Sequence, residues 1–264
     1  MKTQKKVRIE FAEKMEAEQL AIISKRAFET DIEVGGPPPP GGPPGYDSTD
    51  AQVWFMKIMD YFKIIQNESI IGGIMVGKNK KEHPILERIF IDPPYQGKGL
   101  GLQACKLLWK KYPQALVWTL GTPEWNIRTK NFYKKLGFIQ IGWEKDNSEW
   151  RGRWYQKTMD SSKSYPFIQV NELYDGMKNV IIEGKITRLA KARTVRSKEG
   201  KELTVANSTF SDETGSITLV LWNENISRVQ VGDRIRIEFG YVNSYQNTLQ
   251  LNISRMGRII SLLK

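Results

Sequence analysis

The sequence predicts a mixed α/β (α+β) unit followed by a small five-stranded all-β barrel, and three observations carry that prediction. Over residues 7–158 short apolar runs alternate with stretches of helical period. A polar, low-complexity stretch, Asp160-Ser-Ser-Lys-Ser164, then reads as a linker. Beyond it the helical period vanishes, and five strand-like runs follow within about 90 residues. At 264 residues the chain is long for one core and comfortable for two, given roughly 100 to 200 residues per domain. The expected organisation is therefore residues 1–159, a linker at 160–166, and residues 167–264.

The first unit is predicted element by element. Residues 7–11 read as a strand, and 17–28, with Leu20, Ile23 and Ala27 at helical spacing, as an amphipathic helix. Residues 35–45, Gly-Gly-Pro-Pro-Pro-Pro-Gly-Gly-Pro-Pro-Gly, can be neither helix nor central strand, because proline lacks the N–H and glycine has the largest ordering cost. They are a loop, read either as a surface insertion or as the wall of a substrate pocket. Residues 61–66 and 70–77 form a hairpin about a turn at Asn67-Glu68-Ser69, and 85–91 add a third strand. After Pro93-Pro94 the period changes, and Leu102, Cys105 and Trp109 mark the expected inner stripe of a helix. Cys105 is thereby a core residue rather than a reactive one. A buried strand at 116–119, a helix at 126–136 closed by Gly137, and a strand pair at 138–143 and 150–158 complete the unit.

In the second unit the strands are expected at 180–186, 203–210, 216–222, 234–243 and 248–253, separated by turns such as Asp-Glu-Thr-Gly215. Five strands close most economically as a barrel, which leaves no long bare edge.

Composition removes several classes of function. Hydrophobic residues are 40% and charged residues 26%, as in soluble globular domains. No apolar stretch reaches the 18 residues or so that a membrane helix needs, and the basic start has no apolar run after it, so a cytoplasmic protein is expected. One cysteine cannot form an internal disulfide, and with a single histidine, His83, it cannot build a zinc site, so no metal is expected. The net charge of +11 favours an anionic cofactor or a polyanionic partner. Residues 1–160 carry 25 Lys/Arg against 19 Asp/Glu and residues 161–264 carry 15 against 10, giving +6 and +5, so charge does not divide the labour.

The chemistry-bearing segment of the first unit is Leu86-Glu-Arg-Ile-Phe-Ile-Asp-Pro-Pro-Tyr-Gln-Gly-Lys-Gly-Leu-Gly-Leu102, a strand, a glycine-rich turn and a helix start in series. Gly97, Gly99 and Gly101 let backbone approach an anion, the helix start offers unpaired N–H groups, and Lys98 adds charge. A tight strand-to-helix turn is the plainer reading. The spacing is neither that of a P-loop nor that of a dinucleotide-binding fingerprint.

The run Ile91-Asp-Pro-Pro-Tyr-Gln-Gly-Lys-Gly-Leu-Gly101 resembles the Gln/Arg-x-x-Gly-x-Gly/Ala acetyl-CoA motif of GNAT-type N-acetyltransferases, here Gln96, Gly99 and Gly101. The later Asn126 to Phe138 segment, with Asn131-Phe-Tyr-Lys-Lys-Leu-Gly-Phe138, resembles that family's final helix in the right order. The resemblance covers about residues 7–158. It implies a mixed, mostly antiparallel sheet that splays between the strands at 85–91 and 116–119, with acetyl-CoA as cosubstrate in the opening. Gln96, Gly97, Lys98, Gly99, Leu100 and Gly101 then cradle its pyrophosphate, Phe90 and Ile91 pair with the pantetheine arm, and Asn126 binds it or simply caps a helix. An attacking amine must lose a proton, with a reference pKa of about 10.4 for lysine, so a base is needed. Glu87 is the candidate base, with a rim salt bridge as its alternative. Tyr133 stands where the resembled family often places the acid for the departing thiolate, with ordinary packing as its alternative.

In the second unit Trp222, Tyr241 and Tyr245 lie among Arg193, Arg196, Arg234 and other basic residues. Rings that stack on bases and cations that follow phosphates are what single-stranded nucleic acid requires, while a solvated barrel with core aromatics is the alternative. The runs Val170–Ile186, Asp212–Trp222, Val231–Ile235 and Gly240–Asn252 resemble OB-fold domains of archaeal replication protein A-like and simple single-strand binding type. That resemblance implies stacking by the three aromatics on single-stranded DNA or RNA. The expected protein is an N-acetyltransferase tethered to a nucleic-acid module. The alternatives are a non-catalytic nucleic-acid-binding protein with a CoA-binding platform, and a small-molecule acetyltransferase whose barrel binds protein.

Overall fold

The computed structural model describes residues 7–77, 81–145, 151–160, 162, 167–197 and 199–263. Contacts divide the chain into two units, Met1–Ile139 with Tyr155–Ser164, and Gln140–Trp154 with Tyr165–Lys264. Trp150 and most of the expected linker lie outside the described residues.

The first unit begins with β1 (Val7–Phe11) and α1 (Ala17–Glu29), as the alternation and the helical stripe require. α2 (Thr49–Ile58) follows the Pro/Gly loop and is an element the periodicity did not reveal. Its signal is a cap: Ser48 Oγ accepts from the Ala51 N–H at 3.2 Å, with Asp50 in the first turn. β2 (Met59–Gln66) and β3 (Ser69–Gly77) form the expected hairpin, with Asn67 and Glu68 both left-handed in the turn. β4 (Ile85–Ile91) pairs with β3, then α3 (Leu100–Lys111), β5 (Val117–Pro123) and α4 (Ile127–Lys135) follow, α4 ending at a left-handed Gly137. β6 (Ile139–Lys145) and β7 (Arg151–Thr158) close the hairpin at which the two units divide.

β1 to β4 are antiparallel neighbours, whereas β4 and β5 are parallel and meet in register only at Ile85↔Thr119. Beyond that pair the two strands diverge, and the splay expected between them is present. His83 fastens its base: it is fully buried, with Nε2 3.0 Å from Thr119 Oγ1. One core, including Phe62, Ile64, Leu86, Trp118 and Tyr155, lies on the α3 side of the sheet, and a second, including Leu20, Phe55, Tyr61 and Phe90, lies under α1 and α2.

The inner stripe of α3 differs from the expected one. Leu100, Ala104, Cys105 and Leu108 are buried, while Leu102 and Trp109 are half-buried at its margins. Each fully buried leucine contributes roughly 1.5–3 kcal/mol, so the helix is held by this rotated stripe. Cys105 is core, as expected, and burial pushes its thiol pKa up to about 12.

In the second unit β8 (Lys178–Leu189), β9 (Arg193–Arg196), β10 (Glu202–Ser211), β11 (Ser216–Trp222), β12 (Arg234–Tyr245) and β13 (Thr248–Leu262) appear in order. The pairings β8–β10, β10–β11, β11–β13, β13–β12 and β12–β8 close a five-stranded ring, parallel only between β11 and β13. Its interior holds Ile182, Ile186, Phe210, Leu219, Leu221, Ile235, Ile237, Val242, Leu251 and Ile259. β9 is a short flap on β10 that the sequence reading missed. β13 runs nine residues past the expected end at 253, because the exposed Arg255 and Met256 interrupt an alternation that Ile259 and Ile260 resume.

Candidate functional site

In the first unit the splay opens into a cleft of about 500 Å³. Ile89, Phe90 and Ile91 of β4, Gln96, Gly97, Gly99, Leu100 and Gly101 of the turn into α3, and Phe132 and Tyr133 of α4 line it. The continuous run from β4 into α3 is thus brought against α4, some 30 residues further on. Gly97 and Gly99 have φ of 71° and 75°, and a Cβ on either would meet nothing within 4 Å, so their backbone faces open space. Gly101 is needed for a different reason. A Cβ there would press to 3.1 Å on the Phe132 ring, so its absence lets α3 approach α4. β4 has no strand partner on its second edge beyond Ile85 among the described residues, so no ladder covers that edge where it lines the cleft, and the Ile91 carbonyl there accepts from Gln96 Nε2 at 2.8 Å.

A register shift in β4 sets where its side chains point. Met75 pairs with Arg88 and Val76 with Leu86, so Glu87 is an extra residue, a bulge that reverses the alternation around it. Leu86, Ile89 and Ile91 pack towards the α3 core, and Phe90 towards α1. Arg88 stacks over Phe55 at 4.5 Å and donates to Pro44 O at 2.8 Å, which ties the end of the Pro/Gly loop to the sheet. Gln52 holds the same end, donating to Gly45 O and Tyr46 O while accepting from Tyr61 Oη at 2.6 Å. Glu87 itself is half-buried beside Gly77 and is not among the residues lining the cleft.

Tyr133 is 6% exposed and lines the cleft at its α4 wall, with Phe132, Phe138 and Tyr155 around its ring. Burial, then the neighbouring Cys105, Asp31 and Tyr155, hold its hydroxyl pKa well above that of an ordinary tyrosine. It keeps its proton at any physiological pH. Lys98 turns back on its own loop, donating to Pro94 O at 2.6 Å, and Asn126 is buried with Oδ1 accepting the Thr129 N–H at 3.0 Å as a helix cap. Neither lines the cleft.

The sequence reading missed two residues of this wall. Arg128, in the first turn of α4, donates from Nη1 to Gln96 Oε1 at 3.0 Å and from Nη2 to Thr30 Oγ1 at 2.9 Å and Asp31 Oδ1 at 2.5 Å. Gln96 Nε2 in turn donates to Ile91 O at 2.8 Å. Burial pushes the Asp31 carboxyl pKa up against the opposing pull of Arg128 and Asn126. A cation in the first turn of a helix works against the macrodipole, and that was the available signal for Arg128.

On the second unit, cross-strand partners share a face, so the interior row Leu219–Leu251–Val242 fixes which residues point out. Trp222, Asn252, Tyr241 and Tyr245 fall on one outward face of β11, β13 and β12. Trp222 and Tyr241 are each 37% exposed and Tyr245 is 59% exposed, so none is a core filler. Arg193 continues this face through the row Arg193–Val205–Trp222. Arg196 is three residues on and lies on the other side of its strand, and Arg234 is at the far end of β12 opposite Lys185. Among the described residues no group of three His, Cys, Asp or Glu side chains is placed to hold a metal, and no helix is long and apolar enough to cross a membrane.

A splayed sheet with a glycine-lined cleft, followed in the chain by a closed five-stranded ring with an aromatic outer face, makes this a protein of two modules of different class, one α/β and one all-β. Comparison makes this specific: residues 36–138 match the acetyltransferase (GNAT) family and residues 180–259 the OB-fold nucleic acid binding domain. The chain thus carries a GNAT-type domain followed by an OB-fold domain. It is 34% identical over 79 residues to the uncharacterized protein YrkN of Bacillus subtilis, covering 29% of this chain and 43% of that protein. It is 25% identical over 91 residues to the single-stranded DNA binding protein Ssb of Saccharolobus solfataricus, covering 34% of this chain and 61% of that protein. The chain therefore spans about half the length of the curated relatives it matches. Among solved structures, a PaiA N-acetyltransferase from Thermoplasma acidophilum in complex with coenzyme A is 16% identical with a TM-score of 0.47, over 58% of this chain and 99% of that one.

Proposed function

We propose that the protein is an acetyl-CoA-dependent N-acetyltransferase whose OB-fold unit binds single-stranded DNA or RNA. The observation that carries the enzyme half is the opening between β4 and β5, which ends on the glycine turn at the start of α3. The residues fit acetyl-CoA: two left-handed glycines with open space in front of them suit a pyrophosphate, and the edge of β4 at Phe90 and Ile91, which no strand covers, suits an amide-bearing arm. The cosubstrate would supply an activated acetyl thioester. The chain's own residues would do the rest. A carboxylate, Glu87 through a water or Asp31 in the cleft wall, takes the proton of the attacking amine, and the Tyr133 hydroxyl, kept neutral by burial, gives a proton to the departing sulfur. Arg128 and Gln96 hold the wall in place, and Lys98 and Asn126 support the turn and the helix cap. The acceptor is a primary amine, either a protein lysine or N-terminus or a small amine.

The nucleic-acid half is supported by the outward row of Trp222, Tyr241 and Tyr245, with Arg193 beside it and Arg196 and Arg234 adding positive charge around the ring. Localisation to the cytoplasm is part of the same reading. The test is CoA release on a panel of amines and lysine peptides, with and without oligo(dT). Turnover on at least one acceptor is expected. No turnover on any acceptor, together with no acetyl-CoA binding by calorimetry, overturns the enzyme half, and binding without turnover favours a CoA-binding platform.

A further inference from the structure

Around Gly240 three neighbouring strands of the second unit leave their ladders at one place. Ile237 of β12 pairs with Ile182 and Gly240 with Val180, so two residues of β12 oppose one of β8. Tyr241 and Gly240 then pair with Lys178 and Val180, which leaves Asn179 as an extra residue on β8. On β13, residues 254–257 have no partner on β12 between the pairs Gly240↔Ile253 and Glu238↔Arg258. Phe239 and Asn179 both carry left-handed φ, 58° and 53°, a conformation rare for a large side chain and found where surrounding structure imposes it. Bulges cluster beside functional sites because they re-aim side chains and interrupt pairing.

The result is a cleft of about 410 Å³ where a regular ladder would be closed, within the range of about 300–1,000 Å³ of small-molecule sites. Met177, Lys178, Asn179, Phe239, Tyr241 and Asn243 line it together with Gly240. Lys178 stands directly across the ladder from Tyr241, and both it and Asn179 are exposed. Asn243 Oδ1 accepts from Asn252 Nδ2 at 2.5 Å, so the donors of its own amide remain to be used. The lining thus combines a flat aromatic face, two amides and one cation, and it adjoins the outward row of aromatics.

We infer that this cleft takes one nucleobase from a bound single strand and reads its edge, giving the face a sequence preference. The inference rests on the nucleic-acid reading of the second unit. Tyr241 supplies the stacking surface, Asn179 and Asn243 hydrogen-bond the base edge, and Lys178 meets the adjoining phosphate. Stacking alone tolerates any base. On the major-groove edge only adenine sets a donor beside an acceptor, N6 and N7, the pattern a side-chain amide matches, so a base seated with that edge inward is selected as adenine.

Fluorescence anisotropy with the full chain at fixed salt tests this, using oligo(dT) and strands of equal length with a single deoxyadenosine moved through each position. One position is expected at which adenine improves affinity about tenfold. Asn179→Gly keeps the left-handed backbone and removes only the amide, so it should abolish the adenine-over-thymine gain at that position. Binding with no discriminating position, or discrimination that survives Asn179→Gly, overturns the base pocket and leaves the nucleic-acid reading standing. Absence of binding to every strand overturns both.

Discussion

Arg128 donates to Gln96 Oε1 at 3.0 Å, and through Gln96 it reaches the carbonyl of Ile91, so the first turn of α4, the glycine turn and β4 are joined by one hydrogen-bonded chain. The same guanidinium holds Asp31 in the turn that follows α1. This is the link by which the segment at Asp31, the run from β4 through the glycine turn, and α4 become one cleft wall. Arg128→Met should therefore raise the KM for acetyl-CoA about tenfold with a smaller change in kcat, as loss of a charge-assisted bond is worth about 1.5–3 kcal/mol. Arg128→Lys should rescue little, because a point cation cannot engage Gln96, Thr30 and Asp31 together. Steady-state kinetics with acetyl-CoA as the varied substrate measures both.

Tyr133→Phe removes the proposed proton donor and keeps the packing against Phe132, Phe138 and Tyr155. A fall in kcat of about 10²-fold or more is expected, with acetyl-CoA affinity by calorimetry unchanged. An unchanged kcat would remove the acid role.

Two carboxylates compete for the role of base, Glu87 in the bulge of β4 and Asp31 in the cleft wall beside Arg128. A base must be deprotonated, so kcat/KM falls as pH drops through its pKa. If Asp31 serves, that limb lies above the usual aspartate range, because burial raises its pKa, and Asp31→Asn flattens the limb. With Glu87 as the base, Glu87→Gln flattens it and Asp31→Asn leaves it in place. The pH profile of kcat/KM for the two variants decides.

Trp222→Ala and Tyr245→Ala should each weaken single-strand binding by about 1–3 kcal/mol while leaving the salt dependence unchanged, because the rings stack and do not displace counterions. Arg193→Ala should do the reverse, lowering the slope of log K against log salt by about one unit of charge. Salt-series anisotropy separates the two behaviours.

Asp212 organises the β10–β11 turn of the barrel. Its Oδ1 accepts from Thr214 N and Gly215 N at 2.7 and 3.1 Å and from Thr214 Oγ1 at 2.6 Å, and its Oδ2 accepts from Val170 N at 2.7 Å. Partial burial opposes the charge, but these bonds outweigh it and lower its pKa below the ordinary value of 3.8. The stabilisation is therefore complete above the unfolded-state pKa and is lost as pH falls through the lower folded-state value. Thermal melts should show Asp212→Asn less stable than the parent at neutral pH, with the difference shrinking below about pH 4.

Much of this molecule was legible in one dimension. β4 was expected at 85–91 and is found there, because an apolar run bounded by Pro84 and Asp92-Pro93 leaves little freedom. Asn126 and Gly137 bracket α4 by local cap chemistry. Elements whose cause is not local were harder. α2 carries only a cap and two buried residues, Gln52 and Phe55, and the interruption of β13 at 254–257 looks like an end when the strand is read alone. The stripe of α3 was rotated because Leu102 and Trp109 are as apolar as Leu100 and Leu108, and only the neighbouring elements decide which set is covered.

By itself the sequence determined the two-module architecture, the glycine turn, the position of Tyr133 and the three aromatics of the barrel, since each depends on residue type and short-range spacing. Tertiary structure decided the direction in which groups face. The bulge at Glu87 reverses the alternation of β4 and keeps that carboxylate out of the cleft lining, while Asp31 and Arg128 enter from segments 97 residues apart. The coincident bulges on β8, β12 and β13 open a cleft beside Tyr241 in the same way. Period and composition are properties of single segments, whereas a cleft exists only where several segments fail to close on one another.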